Sequence, residues 1–188
     1  MKVLTQLQNP ELLAALEAGE VAVIKTDTLY GLVASAHSSE AVEQVYALKQ
    51  RDPTKACIVL IADMSQLLPG TKLDETHQAL CRRYWPGPVT IVLPVDTAAP
   101  LFVHRGVGSI AYRCPADPEL RQLLNRTGPL VAPSANPESL PPARTIHDAQ
   151  QYFGEHVAMY VDGGTIEDDV APSRIVTLDS GGQEVLLR

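Results

Sequence analysis

The sequence has no Cys-x-x-Cys pair. Its cysteines, Cys57, Cys81 and Cys114, are odd in number and widely spaced, which argues against a disulfide framework or a zinc knuckle and suits a reducing compartment. The histidines, His37, His77, His104, His147 and His156, lack the H-x-x-x-H spacing that puts two ligands on one helix face, so no protein-held metal is expected. No apolar run approaches the roughly 18–20 residues needed to cross a bilayer, and the N-terminus lacks the apolar h-region of a signal peptide. The expectation is a soluble, cytoplasmic protein with no membrane association. Basic residues are outnumbered as well: 15 Lys and Arg against 22 Asp and Glu leave a formal charge of −7. The basic residues are dispersed rather than gathered in a stripe. Weak or no autonomous nucleic-acid binding follows, because grip on a phosphate backbone needs clustered cations. A local basic pocket for a small phosphorylated molecule stays open.

What is present suits one globular domain over residues 1–188. The hydrophobic share of 45% and charged share of 20% are enough to bury a real core. Asn9-Pro10-Glu11, then Leu12, Leu13 and Leu16, then Gly19, read as a capped amphipathic helix. Val21 to Ile24 reads as a short buried strand that runs into the polar loop Lys25-Thr26-Asp27-Thr28. A second helix starts near Ser39, with Val42, Val45, Tyr46 and Leu48 as its apolar stripe and Lys49 and Arg51 in its last turn. Strands are expected at Cys57–Ala62, Val89–Val95, Ser109–Arg113, Leu130–Ala132, Val157–Val161, Arg174–Leu178 and Glu184–Leu187. Helices are expected over Asp74–Tyr84, from Asp117 to Gly128, and from the capping box Thr145-Ile-His-Asp148 to Phe153. This alternation predicts an α/β fold around one sheet, mixed rather than purely parallel because the C-terminal end is rich in strands.

Familiar site motifs are missing. There is no G-x-x-x-x-G-K-[ST] and no G-x-S-x-G. Gly106-Val-Gly-Ser-Ile-Ala111 matches a dinucleotide fingerprint formally, but a strand, not a helix, is expected after it. What remains is a set of polar clusters at strand ends, where ligands of α/β sheets bind. They are Lys25–Gly31, Lys49–Lys55, Arg113 and Ser134-Ala135-Asn136. Each has a plain structural reading: turn and cap residues for the threonines and Asp27, complements to a helix dipole for Lys49 and Arg51, and local turns for Ser134 and Asn136.

Their order resembles the YrdC/Sua5 family of threonylcarbamoyl-AMP synthases, most of all its short bacterial TsaC-type members. The chain gives Thr26-Asp27-Thr28-Leu29-Tyr30-Gly31-Leu32, Lys49-Gln50-Arg51 with Lys55, Trp85-Pro86-Gly87-Pro88-Val89-Thr90, Arg113-Cys114-Pro115, Ser134-Ala135-Asn136 and Pro172-Ser173. It departs from the family pattern at Lys25, where Pro is usual, at Pro137-Glu138-Ser139, at Arg174, and at Leu60, where longer relatives carry His.

The resemblance implies a single YrdC-like domain, a twisted mixed β-sheet flanked by helices with a concave ligand site, and no C-terminal Sua5 extension. It implies synthesis of L-threonylcarbamoyladenylate from ATP, L-threonine and bicarbonate with release of pyrophosphate. The product would serve threonylcarbamoyladenosine modification of tRNA through a downstream transferase complex, with Mg2+ arriving on ATP. By resemblance Arg51 and Lys55, with Lys49, would neutralise the triphosphate. Ser109, Ser134, Asn136 and Ser173 would bond phosphate or ribose, and Arg188 would reach the nucleotide. Thr28, Tyr30 and Arg113 would hold threonine. Two rival readings remain: an RNA-binding or ribosome-maturation module, and a related carbamoyl-adenylate enzyme with another substrate.

Overall fold

Local chemistry starts each of the expected helices where the sequence predicts. The computed structural model describes residues 2–167 and 169–188. Asn9 accepts from the Glu11 amide ahead of α1 (Pro10–Glu17), which places Pro10 in the first turn, where its missing N–H costs nothing. Asp74 caps α3 (Glu75–Tyr84) and Asp117 caps α5 (Pro118–Thr127) in the same manner. Thr145 and Asp148 form the reciprocal capping box of α6 (Ile146–Phe153). Ser38 caps α2 (Ser39–Lys49), while a short α4 over Leu101–His104, not among the expected helices, has no side-chain cap.

The strands are β1 (Lys2–Leu4), β2 (Ala22–Lys25), β3 (Tyr30–Ser35), β4 (Ile58–Leu60), β5 (Val89–Pro94), β6 (Ser109–Arg113), β7 (Leu130–Val131), β8 (Met159–Val161), β9 (Arg174–Leu178) and β10 (Glu184–Leu186). They form one 10-stranded sheet in the order β1-β8-β2-β3-β7-β4-β6-β5-β9-β10. The sheet is mixed: β4 and β6 run parallel, whereas β2 pairs antiparallel with β3, and β5 with β6. Two departures from the sequence reading matter. Tyr30–Ser35, which follows the expected polar loop, is a fully paired strand, so the Thr26–Leu29 segment is a tight hairpin turn closed by Thr26 N–H to Leu29 O at 3.0 Å. The helix α2 ends at Lys49, not beyond it, because Gln50 takes a left-handed conformation (φ 50°). Arg51 therefore lies outside the helix.

Side-chain alternation sorts the core into two layers. Val23 of β2, Leu32 of β3, Val59 of β4 and Tyr112 of β6 face one way, beneath Val42 and Val45 of α2, Cys81 of α3 and Phe153 of α6. Ala22 and Ile24 of β2, Val33 of β3 and Leu60 of β4 face the other way, beneath Leu12 and Leu16 of α1 and Leu120, Leu123 and Leu124 of α5. Leu12, Leu16, Leu120 and Leu124 are almost wholly buried, each stabilising the fold by about 1.5–3 kcal/mol of transfer free energy. On this second face α1 and α5 cover β2, β3, β7 and β4. Ala111 of β6 and Ile175 of β9 are left at the floor of a cleft.

The Trp85-Pro86-Gly87-Pro88 segment ends α3 and turns the chain into β5. A Cβ at Gly87 would sit 2.4 Å from Tyr84 O, so only glycine fits that close approach. The Trp85 indole N–H donates to Val89 O at 2.8 Å, fixing the turn against the strand it feeds.

Candidate active site

The cleft is about 280 Å3 in volume and is bounded by the hairpin turn after β2, the segment after α2, the loop after β7, the end of β6, the start of β9 with the residues before it, and Arg188. Its charged lining side chains are those of Arg51, Arg113 and Arg188, and among the described residues no acidic side chain lines it. Neutral donors and acceptors come from Thr26, Thr28, Ser134 and Ser173.

Each reaches the cleft for a local reason. Thr26 Oγ1 closes the hairpin turn by donating to Leu29 O at 2.7 Å and accepting the Leu29 amide at 3.2 Å. It also lies 3.3 Å from Thr28 Oγ1 and accepts from Arg113 Nη2 at 3.2 Å. The Tyr30 ring begins β3 with no exposure. Its hydroxyl donates to Gly164 O at 2.8 Å and accepts the Gly163 amide at 3.1 Å, so this wall of the cleft is bolted to the loop after β8. Burial pushes the Tyr30 hydroxyl up to about 12, which keeps it a donor.

The loop after β7 runs beside β3 rather than away from it. Leu32 N–H donates to Pro133 O at 2.9 Å and Ala135 N–H to Tyr30 O at 2.8 Å. Ser134 Oγ is thereby set in the cleft, 2.6 Å from Asn136 Oδ1. Opposite, Ser173 is buried with its hydroxyl 2.9 Å from Thr90 Oγ1 on β5. Arg188 is held by its own backbone: Ile175 N–H donates to Arg188 O at 2.9 Å, and Arg188 Nη2 donates to Ser173 O at 3.1 Å.

Arg113, at the end of β6, is 4% exposed. Burial lowers its pKa, the Asp27 carboxylate acts against that shift, and the positive charge of Arg188 acts with it. Arg51 folds back on the segment it introduces, Nε donating to Lys55 O at 2.9 Å and Nη2 to Ala56 O at 3.0 Å.

The structure thus brings Thr28, Tyr30, Arg51, Arg113, Ser134, Ser173 and Arg188 around one cleft. It places Lys49, Lys55, Ser109 and Asn136 outside the lining. Lys49 is 2% exposed, and its ammonium donates to Ser134 O at 2.5 Å, Asn136 O at 2.6 Å and Asn136 Oδ1 at 3.3 Å. Its three donors are all spent on the loop after β7. Burial, with Arg51 adding to it, pushes its pKa down to about 8, against the opposing influence of Cys57 and Glu138. Asn136 is equally committed, its amide donating to Pro137 O and Leu140 O at 2.9 and 2.7 Å. Lys55 is exposed at the rim and pairs with Glu138 at 2.7 Å. Ser109 starts β6 four residues before Arg113, about 13 Å along the strand at the usual rise.

Two residues that the sequence marked only as departures from the family pattern support the site. Glu138 is one: its second oxygen accepts the Asp52 amide at 2.7 Å, so this departure from the family pattern clasps the Arg51–Lys55 segment to the loop after β7. Lys25 is another, donating to Gly163 O and Thr165 O at 2.9 and 3.2 Å and bracing the loop that holds Tyr30. Both are long-range contacts that local patterns do not report. No group of three or more His, Cys, Asp or Glu suited to a metal occurs among the described residues. Among those residues, also, no helix is long and apolar enough to cross a membrane.

A family model named Sua5_yciO_yrdC, described as telomere recombination, matches residues 14–188. The chain belongs to this family. It is 37% identical over 169 residues to a threonylcarbamoyl-AMP synthase of Marinobacter nauticus, covering 88% of each chain. It is 38% identical over 156 residues to one of Bacillus subtilis, covering 80% of this chain and 44% of that one. Among solved structures, P. abyssi Sua5 in complex with L-threonine superposes with a TM-score of 0.88 at 27% identity. That match takes in 100% of this chain and 57% of the P. abyssi chain. The family membership accounts for the order of the polar clusters, and the mixed α/β sheet is the fold these relatives share.

Proposed function

We propose that this chain is an L-threonylcarbamoyladenylate synthase, a nucleotidyltransferase that joins ATP, L-threonine and bicarbonate and releases pyrophosphate. The observation that carries the reading is the cleft lining: arginines from three separate segments converge, with no acidic side chain among the described lining residues. Such a lining fits a polyanion, and the curated relatives bear the name of this synthase.

The chemistry suits the side chains. The amine of threonine captures CO2 as a carbamate, and a carbamate oxygen attacks the α-phosphorus of ATP. The new P–O bond forms as the bond to pyrophosphate breaks. A phosphoryl centre of this kind needs positioning and charge stabilisation rather than a protein nucleophile. Arg51 faces the phosphates, where its fork suits bidentate contact. Lys55 at the rim leaves Glu138 to join it. Ser134 and Ser173 bond phosphate or ribose, and Arg188 closes the nucleotide side. Lys49 and Asn136 act from behind, by fixing the loop that presents Ser134. Ser109 meets the far end of an extended nucleotide. Thr28 and the Tyr30 ring shape the threonine subsite, and Arg113 pairs with the threonine carboxylate. Mg2+ comes bound to ATP as part of the substrate, as it usually does where phosphates supply its ligands. The adenylate then passes in the cytoplasm to a transferase complex that modifies tRNA.

The test incubates the protein with Mg-ATP, labelled bicarbonate and L-threonine, L-serine or no amino acid, with pyrophosphatase present. Pyrophosphate and a labelled adenylate that both depend on threonine and bicarbonate are expected. Absence of product together with absence of ATP binding would overturn the reading.

A further inference from the structure

Asp27 sits in the hairpin turn between β2 and β3, where its residue type alone suggests an ordinary turn former. Its side chain does something else. Oδ1 lies 3.1 Å from Arg113 Nη2, with the two side chains 9% and 5% exposed. Its Oδ2 accepts the Ala116 amide at 3.4 Å, three residues beyond Arg113. In the sheet β2 and β6 are separated by β3, β7 and β4. Asp27 therefore reaches across the ends of the intervening strands to hold both the side chain and the main chain that follow β6.

The pairing is incomplete in an informative way. Arg113 Nη2 donates to Thr26 Oγ1, yet Arg113 Nε and Asp27 Oδ1 are both buried without a hydrogen-bond partner. The guanidinium is anchored at one nitrogen and neutralised from that side, while Nε is left unspent in a residue that lines the cleft. A buried donor without a partner is costly until something accepts from it. The acceptor that suits a guanidinium edge is a carboxylate. The cationic Arg188 stands near enough to act on Arg113. Without a fixed counter-charge, Arg113 would be repelled from this neighbour and free to take other rotamers.

We propose that Asp27 is a positioning residue that holds the Arg113 guanidinium at the cleft wall for the carboxylate of the amino-acid substrate. The assignment rests on the synthase reading and deepens it. Asp27 does not touch substrate; it sets how well Arg113 does.

The test measures binding of L-threonine, L-threoninamide and a non-hydrolysable ATP analogue by calorimetry to wild type and Asp27→Asn. The asparagine keeps the shape and the acceptor for Ala116 but removes the charge. Threonine binding should weaken about tenfold, the scale of one charge-assisted hydrogen bond. ATP-analogue binding should stay within about twofold, the arginines of the phosphate side being untouched. The preference for threonine over its amide should shrink by the same factor as threonine binding. In an Arg113→Lys background Asp27→Asn should add little further loss, because the two residues act as one unit. Should the asparagine variant fold poorly, Asp27→Glu keeps the charge but displaces it from Arg113, and the same selective loss of threonine binding is expected. An unchanged preference for threonine over its amide, or equal weakening of both ligands, overturns the proposal alone. Wild-type protein that binds neither ligand overturns the synthase reading, and this proposal with it.

Discussion

The Lys49 ammonium lies 2.6 Å from the main-chain oxygen of Asn136, across 87 residues of sequence. It joins the end of α2 to the loop after β7, and with Ser134 O and Asn136 Oδ1 it completes a cage of three oxygens. Lys49→Met keeps the aliphatic stem and removes the donor, leaving buried oxygens unpaired. The expected loss is about 3 kcal/mol of stability, in the range for breaking a buried charged hydrogen-bond set. Chemical denaturation measures it. Activity should fall as well, through displacement of Ser134.

Arg51→Ala should behave differently. Arg51 is half-buried, and its bonds stay within its own segment, to Lys55 O and Ala56 O. The fold should survive, and ATP-dependent pyrophosphate release should fall by about 100-fold, the scale for losing one preorganised charge-stabilising donor. Near-wild-type turnover in a folded variant would show that the triphosphate lies elsewhere.

At the rim, Lys55 and Glu138 form an exposed pair, and such pairs contribute little to stability. Lys55→Ala should leave the melting temperature nearly unchanged and raise KM for ATP several-fold, less than Arg51→Ala does. The KM effect should shrink in high salt, and steady-state kinetics at two ionic strengths check this. Glu138→Gln keeps an acceptor for the Asp52 amide. It frees Lys55 from its counter-ion, so KM for ATP should fall slightly.

Alkaline pH should unfold the protein cooperatively. Burial raises Tyr30, Tyr46 and Tyr160 each to about 12. A tyrosine raised in the folded state stabilises fully below its ordinary value of about 10 and loses that contribution as pH climbs through the folded value. The tyrosine contribution to stability, measured by denaturant titration, should therefore be lost between about pH 10 and 12. Replacing Tyr160 by Phe should flatten that decline, since the phenol bonds Gly154 O far from the cleft.

Much of the scaffold was legible from residues near one another in sequence. Asn9, Asp74, Asp117 and the Thr145–Asp148 pair announce helix starts because capping is a local bond. Strands β6 and β9 fall at the expected Ser109–Arg113 and Arg174–Leu178, where apolar residues alternate or run continuously between turn signals. Strand β3 escaped the reading because Tyr30-Gly31 continues a polar motif. What makes it a strand is pairing with β2 on one side and β7 on the other. The three-residue β1 has no periodicity to detect, and its pairing with β8 is likewise remote.

The sequence by itself determined the family motifs and their order. The tertiary structure alone decided which polar side chains face the cleft. Lys49 and Arg51 show why. They lie two residues apart in one motif, yet the left-handed turn at Gln50 sends Lys49 into a buried oxygen cage and Arg51 into the cleft wall. The partners that fix these directions, Ser134 and Asn136 for Lys49 and Asp27 for Arg113, lie 85 to 87 residues or 86 positions away in sequence. Contacts of that span form only when the sheet brings strand ends together, so no local pattern of residues could announce them.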